Sequence, residues 1–159
     1  MTRLPSLGPR GEGWVVIQLV LLALLLVAGF VGGGAWTREI RSATTAVGVL
    51  LGAAGGFLAF KGVVDLREAL TPLPHPRDGA RLVDTGAYAL VRHPIYGGLV
   101  MGATGWGLLT ASPLALVGAL VLLAFFRLKS EREEAWLAER YDAYDAYRAR
   151  TKRMLPRLY

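Results

Sequence analysis

Cysteine is absent from the chain, and histidine is confined to His75 and His93. The first absence excludes disulfides, thiolate zinc sites and cysteine nucleophiles; the second leaves too few imidazoles for a histidine-rich metal site, so no metal is expected. Charge is also missing from three long stretches: Trp14 to Phe30, Thr44 to Phe60, and the 32 residues from Ile95 to Phe126. With 53% hydrophobic residues and a mean hydropathy of +0.41, the chain carries more apolar surface than a soluble domain of this size hides. Runs of about 18 or more apolar residues read as transmembrane helices. The first run exceeds the roughly 7 to 15 residues of a signal-peptide core, and further spans follow, so a span is expected there as well.

Where charge is present it is lopsided. The formal net charge of +6 invites a nucleic-acid reading, but the distribution points to membrane topology instead. Two cations precede the first run (Arg3, Arg10), two follow it (Arg38, Arg41), five lie between Lys61 and Arg92, none flanks Ser112, and nine lie from Arg127 onward. Under the positive-inside rule the 61–94 segment and the C-terminal tail are cytoplasmic.

These features predict an all-α integral membrane protein of about four transmembrane helices, forming one domain over 1–159. The spans are expected at about 14–33, 44–64, 95–111 and 113–129, with a cytoplasmic segment over 130–159. The last two come from dividing the 32-residue run, which as one helix would measure about 48 Å against a hydrocarbon core of roughly 30 Å. Ser112 and Pro113 supply the break, as N-cap and first helical residue. Four passes place both termini in the cytoplasm at the cell membrane, with Thr37–Ser42 and the Ser112 turn on the far side. Gly48, Gly52 and Gly56 form a four-residue repeat on the second span, and Gly98 and Gly102 a similar one on the third, both read as close packing faces. The prolines and glycine of residues 70–79 require a loop. Leu137, Tyr141, Tyr144 and Tyr147 give Glu131–Arg150 the pattern of an amphipathic surface helix.

Polar chemistry gathers at two places. Residues 86–97 carry Tyr88, Arg92, His93 and Tyr96 at the start of the third span, and residues 127–134 carry Arg127, Lys129, Glu133 and Glu134 at the end of the fourth. A helical hairpin brings both to one membrane face. Arg92 suits a ligand carboxylate, Glu133 or Glu134 suits ribose hydroxyls or an amino group, and a tyrosine face suits a sulfonium. The same residues also suit plain interfacial anchoring and a solvated acidic turn.

Gly86-x-Tyr88, Arg92-His93-Pro94-x-Tyr96-x-Gly98, a hairpin, Arg127 and Glu133-Glu134, then Tyr141-x-x-Tyr144-x-x-Tyr147 and Pro156, resemble the isoprenylcysteine carboxyl methyltransferase and phospholipid methyltransferase superfamily. The resemblance covers roughly residues 70 to 158. It implies a SAM-dependent methyltransferase acting on a lipophilic acceptor, with S-adenosylmethionine (SAM) bound by Tyr88, Arg92, His93, Tyr96, Glu133 and Glu134. Arg127, Lys129 and Glu134 are the implied catalytic residues. By spacing, Lys129 stands where the family carries an acceptor-side arginine, and lysine lacks the planar fork that grips a carboxylate.

Two other readings stay open at this level. Sterol reductases have a similar Arg-His-Pro-x-Tyr segment, though they place Asn after the proline and an acidic residue beyond the Tyr-x-Gly, where this chain has Ile95 and Leu99. A non-catalytic membrane scaffold, held together by the glycine faces, is the third.

Overall fold

A computed structural model describes residues 5–155; Arg3 and Pro156, used above, lie outside the described residues. The helices are α1 (Glu12–Val31), α2 (Arg38–Leu66), α3 (Ala87–Leu90), α4 (Pro94–Leu109), α5 (Pro113–Arg140) and α6 (Tyr144–Arg150), and no strand occurs among the described residues. The stretches Glu12–Val31, Arg38–Ala69 and Pro113–Arg140 are long and apolar enough to cross a membrane. Helix α4, with 16 residues, is only about 24 Å long. The all-α membrane architecture read from the sequence is therefore present.

The predicted break falls at Ser112. Its hydroxyl accepts from Ala115 N at 3.1 Å and donates to Ala28 O at 2.8 Å, which caps α5 and ties the hairpin to the end of α1. Gly34 N and Ala35 N donate to Thr110 O and Ala111 O, so the α1–α2 and α4–α5 turns share one end of the bundle. At the other end Gly11, at φ 86°, lies against Pro74, and a methyl there would fall 2.9 Å from the proline ring. The start of α1, the end of α2, the start of α4 and the end of α5 meet there.

Three expectations need correction. Helix α2 begins at Arg38 rather than near 44, because Thr37 is extended and Glu39 favours the first turn, so the segment Arg38–Ser42 expected on the far side is helical. The close-packing glycines are spaced by seven, not four. Methyls on Gly48 and Gly55 would fall 2.9 Å from Gly105 O and 2.6 Å from Gly98 O, whereas Gly52, Gly56 and Gly102 would meet nothing within 4 Å. Two helices packed at a shallow crossing stay in register every seven residues, while a four-residue repeat drifts around the helix. The surface helix expected over 131–150 is divided: α5 continues to Arg140, Tyr141 is extended, and α6 starts at Tyr144. Tyr141 and Tyr147 donate to Ala80 O at 2.7 Å and Tyr88 O at 2.8 Å, contacts that a single continuous helix would not bring back onto this loop.

The core joins Trp14 and Leu25 of α1, Val100 and Ala103 of α4, Leu122, Phe125 and Phe126 of α5, and Met154 of the tail. Outward faces carry exposed Leu19, Leu24, Phe30, Leu50, Phe57, Phe60 and Leu120. A belt of this kind belongs in hydrocarbon, since in water it would be a large unpaired apolar surface.

Candidate active site

The site is assembled at the bundle end opposite Ser112. Asp65, near the end of α2, accepts from Lys61 Nζ at 2.8 Å and from Ala87 N at 2.8 Å, fixing the start of α3 and with it Tyr88. Only glycine fits before α3: Gly86 has φ 61°, and a side chain there would run into the Asp65 carboxylate. Val91 then pairs with Lys152, and Arg92 N and His93 N donate to Lys152 O at 2.9 Å and Arg153 O at 2.8 Å. Pro94 opens α4 at once, since its missing N–H costs nothing at a helix start.

Glu134 is the electrostatic centre of this clasp. Its Oε1 accepts from Arg92 Nε at 2.9 Å and His93 Nε2 at 3.1 Å, while Oε2 lies 3.4 Å from Arg153 and 3.8 Å from Arg148. A carboxylate ringed by guanidinium groups is an acceptor only, so His93 carries its hydrogen on Nε2. Arg92 also donates to the carbonyls of Arg148 and Thr151. Arg92 and Glu134 thus hold the C-terminal strap in place, and Glu134 does not line the adjoining cavity.

That cavity measures about 380 Å³. Tyr88, Arg92, His93, Tyr96, Glu133 and Lys129 all line it, so six of the residues singled out from sequence converge. His93, Tyr96 and Phe126 form a continuous stack, with ring centres 5.3 and 4.5 Å apart. Tyr96 donates to Glu133 Oε2 at 2.8 Å, and His93 Nδ1 lies 3.7 Å from the same carboxylate. Lys129 is 1% exposed and donates to Gln18 Oε1 at 2.6 Å. Arg127 lies elsewhere: it pairs with Glu131 at 2.8 Å and lines a separate basic groove beside Arg148 and Arg153. Two residues of helix turn through about 200°, which places Arg127 and Lys129 on opposite sides of α5.

Tyr144 was read from sequence as part of an amphipathic face and of the tail motif, with no site role of its own, yet it contributes a polar atom to the site. It is 1% exposed, lines the cavity, and its hydroxyl has no hydrogen-bond partner among the described residues. Burial, followed by the charge of Glu134, pushes this phenol far above its ordinary range, so it is a neutral donor; burial raises Tyr88 and Tyr147 likewise. Gln18, Asp65, Arg148 and Arg153 were also missed. Gln18 had a signal, being the one amide in the aliphatic run of α1 and the chain's single glutamine. Arg148 and Arg153 had none, because charged tail residues are usually solvated.

The architecture and site define a class: a multi-pass membrane protein whose polar groups converge in a cavity at the helix ends. The phospholipid methyltransferase family matches residues 43–144, well over half the sequence, and the chain belongs to that family. It is similar to the nickel-cobalt-cadmium resistance protein NccN of Alcaligenes xylosoxydans xylosoxydans, at 30% identity over 91% of this chain and 62% of that protein. Similarity to the cobalt-zinc-cadmium resistance protein CzcN of Cupriavidus metallidurans is 29%, again over 91% of this chain and 62% of the relative. The protein-S-isoprenylcysteine O-methyltransferase of Schizosaccharomyces pombe is 38% identical over 77 residues, 47% of this chain and 33% of that enzyme. The chain thus spans about three fifths of the length of the first two relatives and a third of the last.

Proposed function

We infer that the protein is an integral-membrane methyltransferase that binds SAM in the helix-end cavity and methylates a lipophilic acceptor at the cytoplasmic face. Tyr144 carries the reading: a buried phenol with no partner among the described residues, lining a cavity, leaves a donor for a ligand to satisfy. The other lining groups fit that ligand. Glu133 offers a carboxylate for amino or hydroxyl groups, and the His93–Tyr96 stack offers aromatic faces to a cation. A cavity of about 380 Å³ lies within the usual range for cofactor sites. SAM supplies an electrophilic methyl group when bound; the protein's part is to orient it and exclude water.

A lipophilic acceptor is supported by Val63 and Leu70, which line the cavity and are also exposed at the bundle surface. An acceptor's tail there can remain in hydrocarbon while its head enters. The cytoplasmic orientation, with α4 as a fourth crossing, rests on the cations gathered at this end. Calorimetric titration of purified protein with SAM and, separately, with NADPH tests the cofactor; binding of SAM alone is expected, and binding of NADPH alone would replace this reading with a reductase. Labelled SAM supplied with extracted membrane lipids or with aqueous metabolites tests the acceptor. Label confined to water-soluble products would refute the lipophilic class.

A further inference from the structure

We propose that the basic groove outside the cavity binds the phosphate head group of an anionic phospholipid whose acyl chain lies along α5. The lipid is held beside the cavity and is not the methyl acceptor, so the inference does not depend on the methyltransferase reading.

The groove measures about 410 Å³, and five of its seven lining residues are cations: Arg92, Arg127, Arg148, Lys152 and Arg153. No carboxylate lines it. The acidic neighbours of these cations are shared, Glu131 between Arg127 and Arg153 at 2.8 and 3.1 Å, and Glu134 among Arg92, Arg153 and Arg148 at 2.9, 3.4 and 3.8 Å. At 3.8 Å Arg148 is beyond hydrogen-bond reach of Glu134, and its guanidinium makes no hydrogen bond among the described residues. Lys152 is exposed and pairs with no carboxylate among the described residues. Two adjacent cations thus keep donors for a further anion. A phosphate suits them, since its several acceptor oxygens satisfy a guanidinium fork and an ammonium together.

The setting points to a lipid rather than a soluble phosphate. Arg127 is the first charge after the charge-free stretch that ends at Phe126, which puts the groove at head-group level. Ala124, Leu120 and Val117, three, seven and ten residues before Arg127, share one face of α5 with it and are exposed. Ten residues of helix rise about 15 Å, half of a hydrocarbon core of roughly 30 Å, so this apolar strip accompanies an acyl chain through one leaflet. Arg92 lines both the groove and the cavity, and the bound head group therefore sits against the wall of the site without entering it.

Native mass spectrometry of the full chain in detergent, titrated with dioleoylphosphatidylglycerol or dioleoylphosphatidylcholine, measures the affinity for each lipid. The wild type is expected to favour the anionic lipid by about tenfold or more. Arg148→Gln combined with Lys152→Gln should remove most of that preference. Arg38→Gln combined with Arg41→Gln deletes two exposed cations at the opposite end of the bundle and should keep it. If thermal denaturation shows the groove variant to be unfolded, Lys152→Gln decides alone, with a loss of about threefold or more expected. Glycerol phosphate, which carries the anion without the chains, should not displace the lipid at equal concentration. Equal affinity for the two lipids, a preference that survives in the folded groove variant, or one lost equally in the Arg38 and Arg41 control overturns the proposal. Displacement by glycerol phosphate also overturns it, by assigning the groove to soluble phosphates.

Discussion

The imidazole of His93 and the carboxylate of Glu134 meet at 3.1 Å, Nε2 to Oε1, from opposite arms of the α4–α5 hairpin. The contact joins the two polar clusters and orients the ring whose other nitrogen faces Glu133 at 3.7 Å. One carboxylate holds the scaffold while its neighbour in sequence lines the cavity.

That division predicts that Glu134→Gln acts chiefly on stability. Removing one partner of a buried ion cluster costs about 3 to 5 kcal/mol, because the remaining charges stay buried and unpaired. A lowered thermal midpoint in detergent is expected, with faster proteolysis of the strap after Tyr141. The exposed control Glu139→Gln should stay within about 0.5 kcal/mol of wild type. An unchanged midpoint for Glu134→Gln would contradict its structural role.

Two tyrosines of α6 should separate binding from folding. Tyr144→Phe deletes a hydroxyl with no partner among the described residues, so stability is expected to hold while SAM affinity falls by roughly two- to tenfold, the worth of one neutral hydrogen bond. Tyr147→Phe deletes the donor to Tyr88 O and should cost about 1 kcal/mol in stability. Calorimetry and thermal denaturation on both variants read the difference, and a destabilised Tyr144→Phe would show that its hydroxyl has a protein partner after all.

The seven-residue glycine seam makes a sharp contrast between neighbours. At Gly55 an added methyl falls 2.6 Å from the backbone oxygen of Gly98, so Gly55→Ala must push α2 and α4 apart, at about 1 to 3 kcal/mol. At Gly56 it meets nothing within 4 Å, and Gly56→Ala should be neutral or stabilising by up to about 1 kcal/mol. Equal midpoints for the two variants would contradict the packing.

Orientation can be read by single-cysteine labelling, since the chain has no cysteine of its own. Asp78→Cys, on a highly exposed loop residue, should react only from the cytoplasmic side, and Thr37→Cys only from the other. Ser112 is a poor reporter for the far side because it is buried and hydrogen-bonded on both sides. Reaction of position 78 from outside would invert the topology.

By itself the sequence determined the membrane class, the hairpin and the cluster at its open end. Those properties follow from local facts: unbroken apolar runs, Ser112-Pro113 as a helix start, and polar residues at run boundaries. Family membership was legible for the same reason, since its motifs occupy short contiguous segments. Only the tertiary structure decided which residues face the cavity. Arg127 and Lys129 are two positions apart and chemically alike, yet the turn of α5 sends one to an outer groove and the other against Gln18. Glu133 and Glu134 were equivalent until Arg92, Arg148 and Arg153 closed around one of them, the first from 42 residues away and the other two from a strap that folds back after Tyr141. The glycine spacing was settled in the same way. A helix carries small residues on several faces, and the partner against which it packs selects the one that matters.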